Sequence, residues 1–432
     1  GNTYFHATRV GNRNAGKVNF IYNTHMRVVK NFFHLFEAII ANIVYGFPSK
    51  RLKVIGITGT DGKTTTTSLV YHILKSAGKK VSMVSTVYAK VGEKEFDTGL
   101  HTTTPSSFQI QKFLKMSADA GDEYFVLETT SHALDQYRVY GIEYYVGGIT
   151  NVTHEHLDYH ITYENYVQAK SKLLRQSKIA VINKDDRSFP LLTRILFQHP
   201  LTVTYSRISS ADYELSTLGK LADTLSEYNQ HNYLLGFAIA DKLGMGKDAI
   251  LTAMKTNSYP PGRMETVYDK DFKVIVDFAH TPHAIDKALM DIKKRYLTSK
   301  GRLIHVFGSA SERDSSKRPF MGETSSKWAN VIILTEEDCR KEDPKKIVHE
   351  IASGIDIKFK KINSSELTPQ SNHIYTVIPN RKEAIDKAIA IAKPHDIIVT
   401  TGKGHEKSLC RGSIEYPWNE KEAIMEAVRK ND

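Results

Sequence analysis

The sequence is poor in cysteine. Its 432 residues include only two, Cys339 and Cys410. One pair cannot build the disulfide framework that stabilises small secreted domains, and scarce cysteine is typical of proteins in a reducing compartment. The composition therefore excludes a disulfide-rich secreted protein and predicts a cytoplasmic location.

An uninterrupted hydrophobic run of membrane-spanning length is also missing. The most apolar stretch, residues 31–47, reads NFFHLFEAIIANIVYGF and is interrupted by His34 and Glu37. It falls short of the roughly 20 apolar residues that a transmembrane helix needs. Because Arg27 and Lys30 precede it, two interpretations stay open: a helix packed on the next domain, or a helix lying on a membrane surface.

Positive charge is abundant but not concentrated. The chain has 59 Lys and Arg residues against 48 Asp and Glu residues, a net charge of +11, and the basic residues are scattered. A basic nucleic-acid-binding NTPase would need a concentrated basic stripe. The scatter therefore argues against nucleic acid and indicates a preference for acidic substrates.

One glycine- and threonine-rich stretch, GTDGKTTTT, follows an apolar strand pattern and opens a helix. A helix N-terminus offers unpaired N–H groups and the positive end of its dipole, so it binds anions. Gly59 and Gly62 let the backbone approach closely, Lys63 can reach the outer phosphates, and Thr64 can ligate Mg²⁺. The standard phosphate loop has glycine where this chain has Ile57. The stretch is therefore a shorter G-x-x-G-K-T-T variant, and it predicts polyphosphate binding.

Strand and helix patterns alternate from residue 51 onward. Strand patterns fall at 81–87, 124–127, 146–151 and 179–182, and helical patterns at 68–76, 106–120, 163–177 and 231–242. Such alternation predicts an α/β fold with a mostly parallel sheet covered by helices.

The prolines and glycine of NSYPPGRME, residues 257–265, mark the best domain boundary. Strand patterns restart after it, which predicts a second open α/β domain of Rossmann-like type. The predicted division is a short N-terminal extension with one apolar helix (1–48), a central phosphate-loop domain (49–259) and a C-terminal domain (260–432).

Acidic and imidazole side chains follow two further strand patterns. Glu128 ends the strand of FVLETTSHAL, where ligands bind in α/β sheets. The segment THEHLDYH adds a cluster of His154, Glu155, His156, Asp158 and His160. Hard ligands beside a phosphate loop favour Mg²⁺. Zinc is the alternative, although its sites usually carry cysteine or regularly spaced histidine, and ordinary surface histidines are a third interpretation.

These segments together resemble the Mur ligase family, the ATP-dependent amide ligases of peptidoglycan precursor synthesis, and within it most of all the MurE group. TGTDGKTTT is similar to the family's phosphate loop, with Asp61 where Asn is usual. HTTTP, ETTSHALDQYRV and THEHLDYH…YVQAK match central signatures in order and spacing, and YNQHN matches the adenine side. PPGRME, VDFAHTP, ERDSSKRPFMG and TTGKGHE match the C-terminal domain, so the resemblance covers roughly residues 53–430.

The resemblance implies roles for the matching positions. The implied catalytic residues are Lys63, Glu128, His156 and Lys170. The implied ATP-binding residues are Gly59, Thr60, Asp61, Gly62, Lys63, Thr64, Thr65, Asn232, Arg263 and Asp277, with His280 in the same stretch. The implied Mg²⁺ ligands are Thr64, Glu128, His156 and, once carbamylated, Lys170. The implied substrate contacts are Thr103, Thr104, Ser131, Gln136, Arg138, Arg340, Gly402 and Glu406.

The implied activity is that of a carboxylate–amine ligase using ATP and Mg²⁺. A muramoyl-peptide carboxylate would become an acyl phosphate, and an amino acid would then attack it. The expected partners are the muramoyl peptide and the amino acid, with no nucleic acid, peripheral membrane contact through the N-terminal helix, and a monomeric chain. A folylpolyglutamate synthetase-like ligase and a non-catalytic nucleotide-binding relative are the alternatives.

Two departures from the family pattern leave the substrates open. Only about fifty residues precede the phosphate strand, fewer than the family's usual UDP-binding domain needs, so the expected acceptor is either held differently or lipid-linked. The amino-acid selector reads EDCR, ending at Arg340, where diaminopimelate-adding relatives have DNPR. Arg340 can pair with a carboxylate, which favours diaminopimelate, while lysine and ornithine stay open.

Overall fold

The computed structural model describes residues 30–96, 103–153, 155, 157–312 and 314–431. The predictions that involve His154 and His156 lie outside these described residues.

The central sheet is mostly parallel, as predicted. Its strands in chain order are β1 (Lys53–Thr58), β2 (Val81–Val84), β3 (Ala89–Val91), β4 (Lys94–Phe96), β5 (Tyr124–Glu128), β6 (Tyr144–Ile149), β7 (Ser177–Asn183) and β8 (Thr202–Tyr205). Their spatial order is β4-β3-β2-β5-β1-β6-β7-β8. Only the pairs of β3 with β2 and β4 are antiparallel among these strands. Since β1 lies between β5 and β6, its carboxyl end lies where α/β sheets bind ligands.

Helices cover both faces of this sheet. They are α2 (Lys63–Ser76), α3 (Ser107–Asp119), α4 (Ser131–Asp135), α5 (Leu157–His160), α6 (Tyr163–Arg175), α7 (Phe189–Ile195), α8 (Glu227–Lys242) and α9 (Lys247–Lys255). Successive residues of β1 point to opposite faces, so Val54 lies in the same core cluster as Phe113 of α3, while Ile55 lies in the cluster that contains Leu69 of α2. Full burial of each such side chain stabilises the fold by about 1.5–3 kcal/mol, which holds β1 and the loop after it in place.

A second sheet follows the proline-containing segment. Its strands are β9 (Glu265–Asp269), β10 (Lys273–Asp277), β11 (Leu303–Phe307), β12 (Val331–Leu334), β13 (Lys360–Lys361), β14 (Ile374–Val377) and β15 (Ile397–Thr401), in the spatial order β13-β14-β12-β11-β15-β10-β9. Only the β9–β10 pair is antiparallel among them. The hairpin β16 (Ser408–Arg411) and β17 (Ile414–Pro417) stands apart from this sheet.

The helices of the second unit are α10 (Pro282–Tyr296), α11 (Arg318–Trp328), α12 (Pro344–Ala352), α13 (Arg381–Ala390) and α14 (Glu420–Asn431). They also lie on both faces, since Val274 packs in one core cluster and Ile275 in another. The predicted α/β fold with a second open α/β unit is confirmed. The domain limits 1–48, 49–259 and 260–432 stay a prediction.

The apolar N-terminal stretch is helical over residues 30–45, which we call α1. Ala38 and Ala41 are buried, and Asn42 donates a hydrogen bond to the carbonyl of Tyr140 at 2.8 Å. The helix therefore packs on the central unit. Within the described part of the chain, no helix combines the length and apolarity needed to cross a bilayer.

Three predicted element limits differ most from the structure, each for a local reason. The helix predicted at 68–76 already begins at Lys63, because Gly62 turns the chain in the left-handed conformation directly into α2. The helix predicted at 231–242 begins at Glu227, because the Ser226 side chain caps it. The strand predicted at 81–87 ends at Val84, since the next amides are bonded elsewhere.

Candidate active site

The loop between β1 and α2 is held in one shape by close backbone approaches. Gly59 has a φ of +147°, and a Cβ there would lie 1.8 Å from Oγ1 of Thr150. Gly62 has a φ of +81°, and a Cβ there would lie 2.2 Å from Oδ1 of Asn232. Both positions therefore require glycine. Because Gly62 has no side chain to cap α2, the first N–H groups of the helix are available to an anion.

Residues directly after strand β6 hold the same loop through hydrogen bonds. The Asp61 amide donates to Oδ1 of Asn151 at 3.0 Å, and Oγ1 of Thr150 donates to the Asp61 carbonyl at 2.6 Å. Nζ of Lys63 donates to the Thr60 carbonyl at 2.7 Å. Thr65 is buried in the first turn of the helix. The predicted phosphate-binding residues thus form one contiguous cradle.

Glu128 lies beneath this cradle at the carboxyl end of β5. It is 1% exposed, accepts a hydrogen bond from Oγ1 of Thr64 at 3.0 Å, and accepts two from Thr86 at 2.8 Å. Sequence reasoning missed Thr86, because a lone threonine after a short strand carries no signal. These hydroxyl and carboxylate oxygens are the hard donors that Mg²⁺ prefers.

Lys170 on α6 is fully buried beside the loop. Its Nζ donates to the Gly59 carbonyl at 2.5 Å and lies 4.4 Å from the ring centre of Tyr166. Burial, with a further contribution from the charge of Lys63, holds the pKa of Lys170 well below its usual range. A lysine in this setting is a neutral amine, and hence a nucleophile, at a pH where an exposed lysine is charged.

The structure describes two side chains of the predicted histidine and carboxylate cluster, those of Glu155 and His160. His160 is completely buried, lies 3.0 Å from Oγ of Ser131, and stacks on the Tyr166 ring. It is therefore a packing residue and not a surface histidine. Glu155 contacts Nε2 of His280 at 3.6 Å instead. Within the described ranges, no group of three or more His, Cys, Asp and Glu side chains is placed to hold a metal ion.

A cavity of about 470 Å³ lies between the central and C-terminal units, with the phosphate loop on one side. Of the predicted peptide contacts, Thr103, Thr104 and Arg138 line it. Arg138 donates to the Thr104 carbonyl at 2.6 Å and to Oε1 of Gln136 at 3.0 Å. Gln136 contacts Arg138 from outside the cavity lining, and Ser131, also outside it, contacts His160.

The opposite side of the cavity carries Arg340 and Glu406, both predicted from the sequence, and Glu337. Gly402 has a φ of +100°, and a Cβ there would lie 2.5 Å from Oε2 of Glu337. Arg340 contacts Glu312 at 3.4 Å. Lys403 is buried between Asp338 at 2.9 Å and Glu406 at 2.5 Å.

Two titratable groups on that side are shifted toward neutrality. Burial raises the pKa of Glu337, although the charge of Lys403 opposes the shift. Burial and the charge of Arg263 lower the pKa of His405 to about 3. Neither Oε2 of Glu337 nor Nδ1 of His405 has a hydrogen-bond partner among the described residues. Perturbed groups in a cleft are typical of functional sites. The EDCR and GKGHE motifs contain both residues, but only the fold reveals that they face the phosphate loop.

A smaller cavity of about 70 Å³ adjoins the phosphate loop and is lined by Arg263 and Asp277. Asp277 accepts hydrogen bonds from the amides of Met264 and Ala279, both at 2.8 Å, and burial raises its pKa. Asn232 lies beneath Gly62, as described above. The three residues predicted on the ATP side are therefore brought to one edge of the loop.

Two contacts join the C-terminal unit to the phosphate loop directly. Nη2 of Arg263 lies 3.4 Å from Oγ1 of Thr64, and Nδ1 of His283 lies 3.3 Å from Oδ2 of Asp61. His283 follows the quoted VDFAHTP motif by one position and was missed, since nothing in the sequence predicts its partner. These contacts close the phosphate loop against the second unit.

Comparison with known proteins agrees with this arrangement. The chain matches the Mur ligase middle domain over residues 57–237 and the Mur ligase glutamate ligase domain over residues 262–404. It is 36% identical over 411 residues to a UDP-N-acetylmuramoyl-L-alanyl-D-glutamate–2,6-diaminopimelate ligase of Aquifex aeolicus, covering 90% of this chain and 80% of that protein. A Clostridium acetobutylicum ligase of the same name is 35% identical over 415 residues, covering 91% and 81%.

Solved structures give the same result at lower identity. A structure of a 2,6-diaminopimelate ligase of that name has a TM-score of 0.58 at 28% identity, covering 88% of this chain and 78% of its own. Folylpolyglutamate synthase of Mycobacterium tuberculosis with ADP has a TM-score of 0.65 at 15% identity, covering 85% and 91%, which shows a shared fold. From the two matched domains and the relatives above 30% identity, we conclude that the chain belongs to the Mur ligase family of ATP-dependent amide ligases.

Proposed function

We propose that the chain adds meso-diaminopimelate to a carboxylate of a UDP-linked muramoyl dipeptide, at the expense of ATP, in peptidoglycan precursor synthesis. The observation that carries the proposal is the cavity of about 470 Å³ between the two units, which has the phosphate loop on one side and Glu337 with Arg340 on the other. The names of the relatives support the choice of substrates.

The phosphate loop serves the activation step. Joining a carboxylate to an amine is unfavourable near neutral pH, so the peptide carboxylate first attacks the γ-phosphorus and ADP leaves. The amide groups at the start of α2 and the ammonium of Lys63 reduce the repulsion between these two anions. Arg138 lines the same cavity and binds the negatively charged groups of the peptide. The incoming amine then attacks the acyl carbon, phosphate leaves, and the amine nitrogen loses a proton.

Mg²⁺ fits the oxygen donors beneath the loop, and we propose Thr64 and Glu128 as its protein ligands, with His156 for a second ion. When bound, Mg²⁺ would neutralise phosphate charge. Lys170 would contribute as a carbamate. Its neutral amine adds to CO₂ and releases one proton, which converts a buried neutral group into an anion. The lowered pKa of Lys170 and its burial support this proposal.

The C-terminal side of the cavity suits a diamino dicarboxylic acid. Arg340 offers a planar fork for a carboxylate. Glu337 offers a buried carboxylate oxygen without a hydrogen-bond partner in the described chain, which an ammonium group would satisfy. Lysine carries the second ammonium but not the second carboxylate, so it would leave Arg340 without a partner on the ligand. Gly402 and Glu406 would close the far end of the pocket.

The test is phosphate release with ATP, Mg²⁺ and UDP-muramoyl dipeptide, with meso-diaminopimelate, lysine or no amino acid. Release that needs both the peptide and diaminopimelate is the expected result. Lysine as the better substrate would overturn the amino-acid assignment, and release only with a folate acceptor would favour the folylpolyglutamate reaction. No release with the nucleotide-linked peptide would overturn the UDP-linked acceptor.

A further inference from the structure

Helix α1 (residues 30–45) is held to the central unit by a narrow face of small residues. Ala38 and Ala41 are completely buried, and Asn42 is 2% exposed. Asn42 donates to the Tyr140 carbonyl, and Gly141 comes so close that a Cβ there would lie 2.8 Å from the Asn42 amide. One face of the helix is therefore fully used for packing within the chain.

The opposite face carries large apolar side chains in contact with solvent. At 100° per residue these positions form one arc on the side away from Ala38 and Ala41. We call this set the outer face of α1: Phe32, Phe33, Phe36, Ile39, Ile43 and Val44, which are 67, 66, 58, 37, 62 and 62% exposed. Phe47, 40% exposed, follows the helix directly. The charged residues Lys30 and Glu37 fall at the margin of the arc. A helix that is apolar on both sides is ordinarily buried on both sides, and an apolar patch of this extent marks an interaction site.

Basic residues lie at both ends of the outer face of α1, with Glu37 as an acidic residue at its margin. Lys50 and Arg51 are exposed just after it, and Nζ of Lys50 lies 5.2 Å from the ring centre of Phe47. The patch continues onto α3 through Phe108, which contacts the Tyr45 ring, and exposed Lys112 lies one turn beyond Phe108. Apolar aromatic side chains with a basic margin are the pattern of a helix that lies in a bilayer interface.

We propose that the outer face of α1 docks on the surface of a bilayer that contains anionic lipid. The helix lies in the plane of the interface, because 16 residues of helix extend only about 24 Å, less than the hydrocarbon thickness. A second copy of the chain fits less well. Two outer faces packed together would bring the basic margins, Lys30, Lys50 and Lys112, toward one another.

The docked helix lies beside the peptide side of the cavity. Asn31 donates to the carbonyl of Asp135 on α4 at 3.1 Å, and the charge of Glu37 acts on Arg138. Docking would therefore hold the entrance used by the muramoyl peptide close to the lipid surface. The proposal itself concerns binding alone and does not depend on the ligase reaction.

The test is sedimentation of the full chain with vesicles of phosphatidylcholine, with and without about 30% phosphatidylglycerol. The variant Phe36→Ser/Ile43→Ser alters the outer face. Its matched control, Phe197→Ser/Ile357→Ser, alters side chains that are 86 and 100% exposed elsewhere. We expect wild type and control to sediment with anionic vesicles, and the variant to partition at least about tenfold less. Melting curves establish that both variants are folded, and light scattering reports the oligomeric state.

Three results would overturn the proposal. The first is wild-type protein that stays in solution with vesicles of both compositions, as it would if another part of the chain covers the face. The second is equal binding by wild type and the outer-face variant. The third is a wild-type dimer that the variant converts to a monomer without any vesicle binding, which would assign the face to a second copy. Because no outcome depends on ATP or the peptide, failure here is distinguishable from failure of the proposed function.

Discussion

The two sides of the active-site cavity are built in different ways. On the central side, the polar groups are paired within the protein: Lys63 with the Thr60 carbonyl, Thr64 with Glu128, and Lys170 with the Gly59 carbonyl. On the C-terminal side, Oε2 of Glu337, Nδ1 of His405 and Nε of Arg340 are buried without hydrogen-bond partners in the described chain. An unpaired buried polar group destabilises a fold by about 1–3 kcal/mol.

This difference indicates how each side binds. The central side is a preformed cradle whose shape does not depend on its ligand. Such a site suits the phosphates of ATP, which are the same in every reaction cycle. The C-terminal side carries buried polar groups whose hydrogen bonds the described chain does not complete, so they are available to a ligand. A ligand without groups that pair with these atoms would leave them buried and without hydrogen bonds. We therefore expect the C-terminal side to select the amino acid. The following predictions test this comparison in order of expected effect.

Lys63→Met should have the largest effect. It removes the cation nearest the phosphates and leaves the shape of the loop intact, so we expect kcat to fall about 10³-fold with an unchanged melting temperature. Phosphate-release kinetics and thermal melting measure the two quantities. The control is Lys255→Met, at an exposed position on α9. A loss of stability equal to that of a core variant would mean that Lys63 holds the cradle together, contrary to the comparison.

Lys170→Met should separate stability from activity. Burial lowers the pKa of Lys170 in the folded chain below the ordinary value of 10.5. At any pH between these two pKa values, the unfolded chain binds more protons than the folded one. Stability of the wild type therefore rises with pH through this window and is lost as pH falls. We expect the variant, in CO₂-free buffer, to melt higher than wild type at neutral pH, with the difference shrinking toward high pH.

The same variant should lose about 10²-fold or more in kcat, since it cannot form the carbamate proposed to support Mg²⁺. Mass spectrometry of wild type under bicarbonate should detect a labile addition of CO₂ that the variant lacks. An active Lys170→Met protein would remove Lys170 from the reaction.

Glu337→Gln tests the C-terminal side. It keeps the size of the side chain but removes the buried charge, so we expect KM for the amino acid to rise about 10- to 100-fold with little change in kcat or in KM for ATP. Glu383→Gln, on the exposed side of α13, is the control. An equal rise in KM for the amino acid and in KM for ATP would show that the C-terminal side does not bind the amino acid separately from ATP, contrary to the comparison.

Asp61→Asn should have the smallest effect. Asp61 places a negative charge in the phosphate loop and contacts His283 at 3.3 Å. Removing the charge should lower KM for ATP about two- to fivefold, more at low ionic strength. The control is Asp248→Asn at an exposed position on α9. A weaker affinity for ATP would mean that the contact with His283 matters more than the charge of Asp61.

The local motifs predicted the contiguous phosphate loop and missed side chains that reach the site from separate segments. The phosphate loop is one contiguous segment, and its glycine positions report backbone conformation directly, as the positive φ values of Gly59 and Gly62 confirm. Glu128 was predicted because a buried strand ends at it. By contrast, Thr86 and His283 reach the site from separate segments, and their roles depend on contacts across more than 40 residues of sequence. The monomeric state stays a prediction.

The sequence by itself determined the α/β fold, the family and the phosphate loop, because each follows from short-range patterns: alternating apolar residues, glycine spacing and ordered motifs. The tertiary structure alone decided three other features. It brought Glu337 and Arg340 opposite the loop, buried Lys170 so that the pKa of its amine is lowered, and left the outer face of α1 exposed. Burial, charge and exposure depend on what the rest of the chain places around a side chain, and no local pattern contains that information.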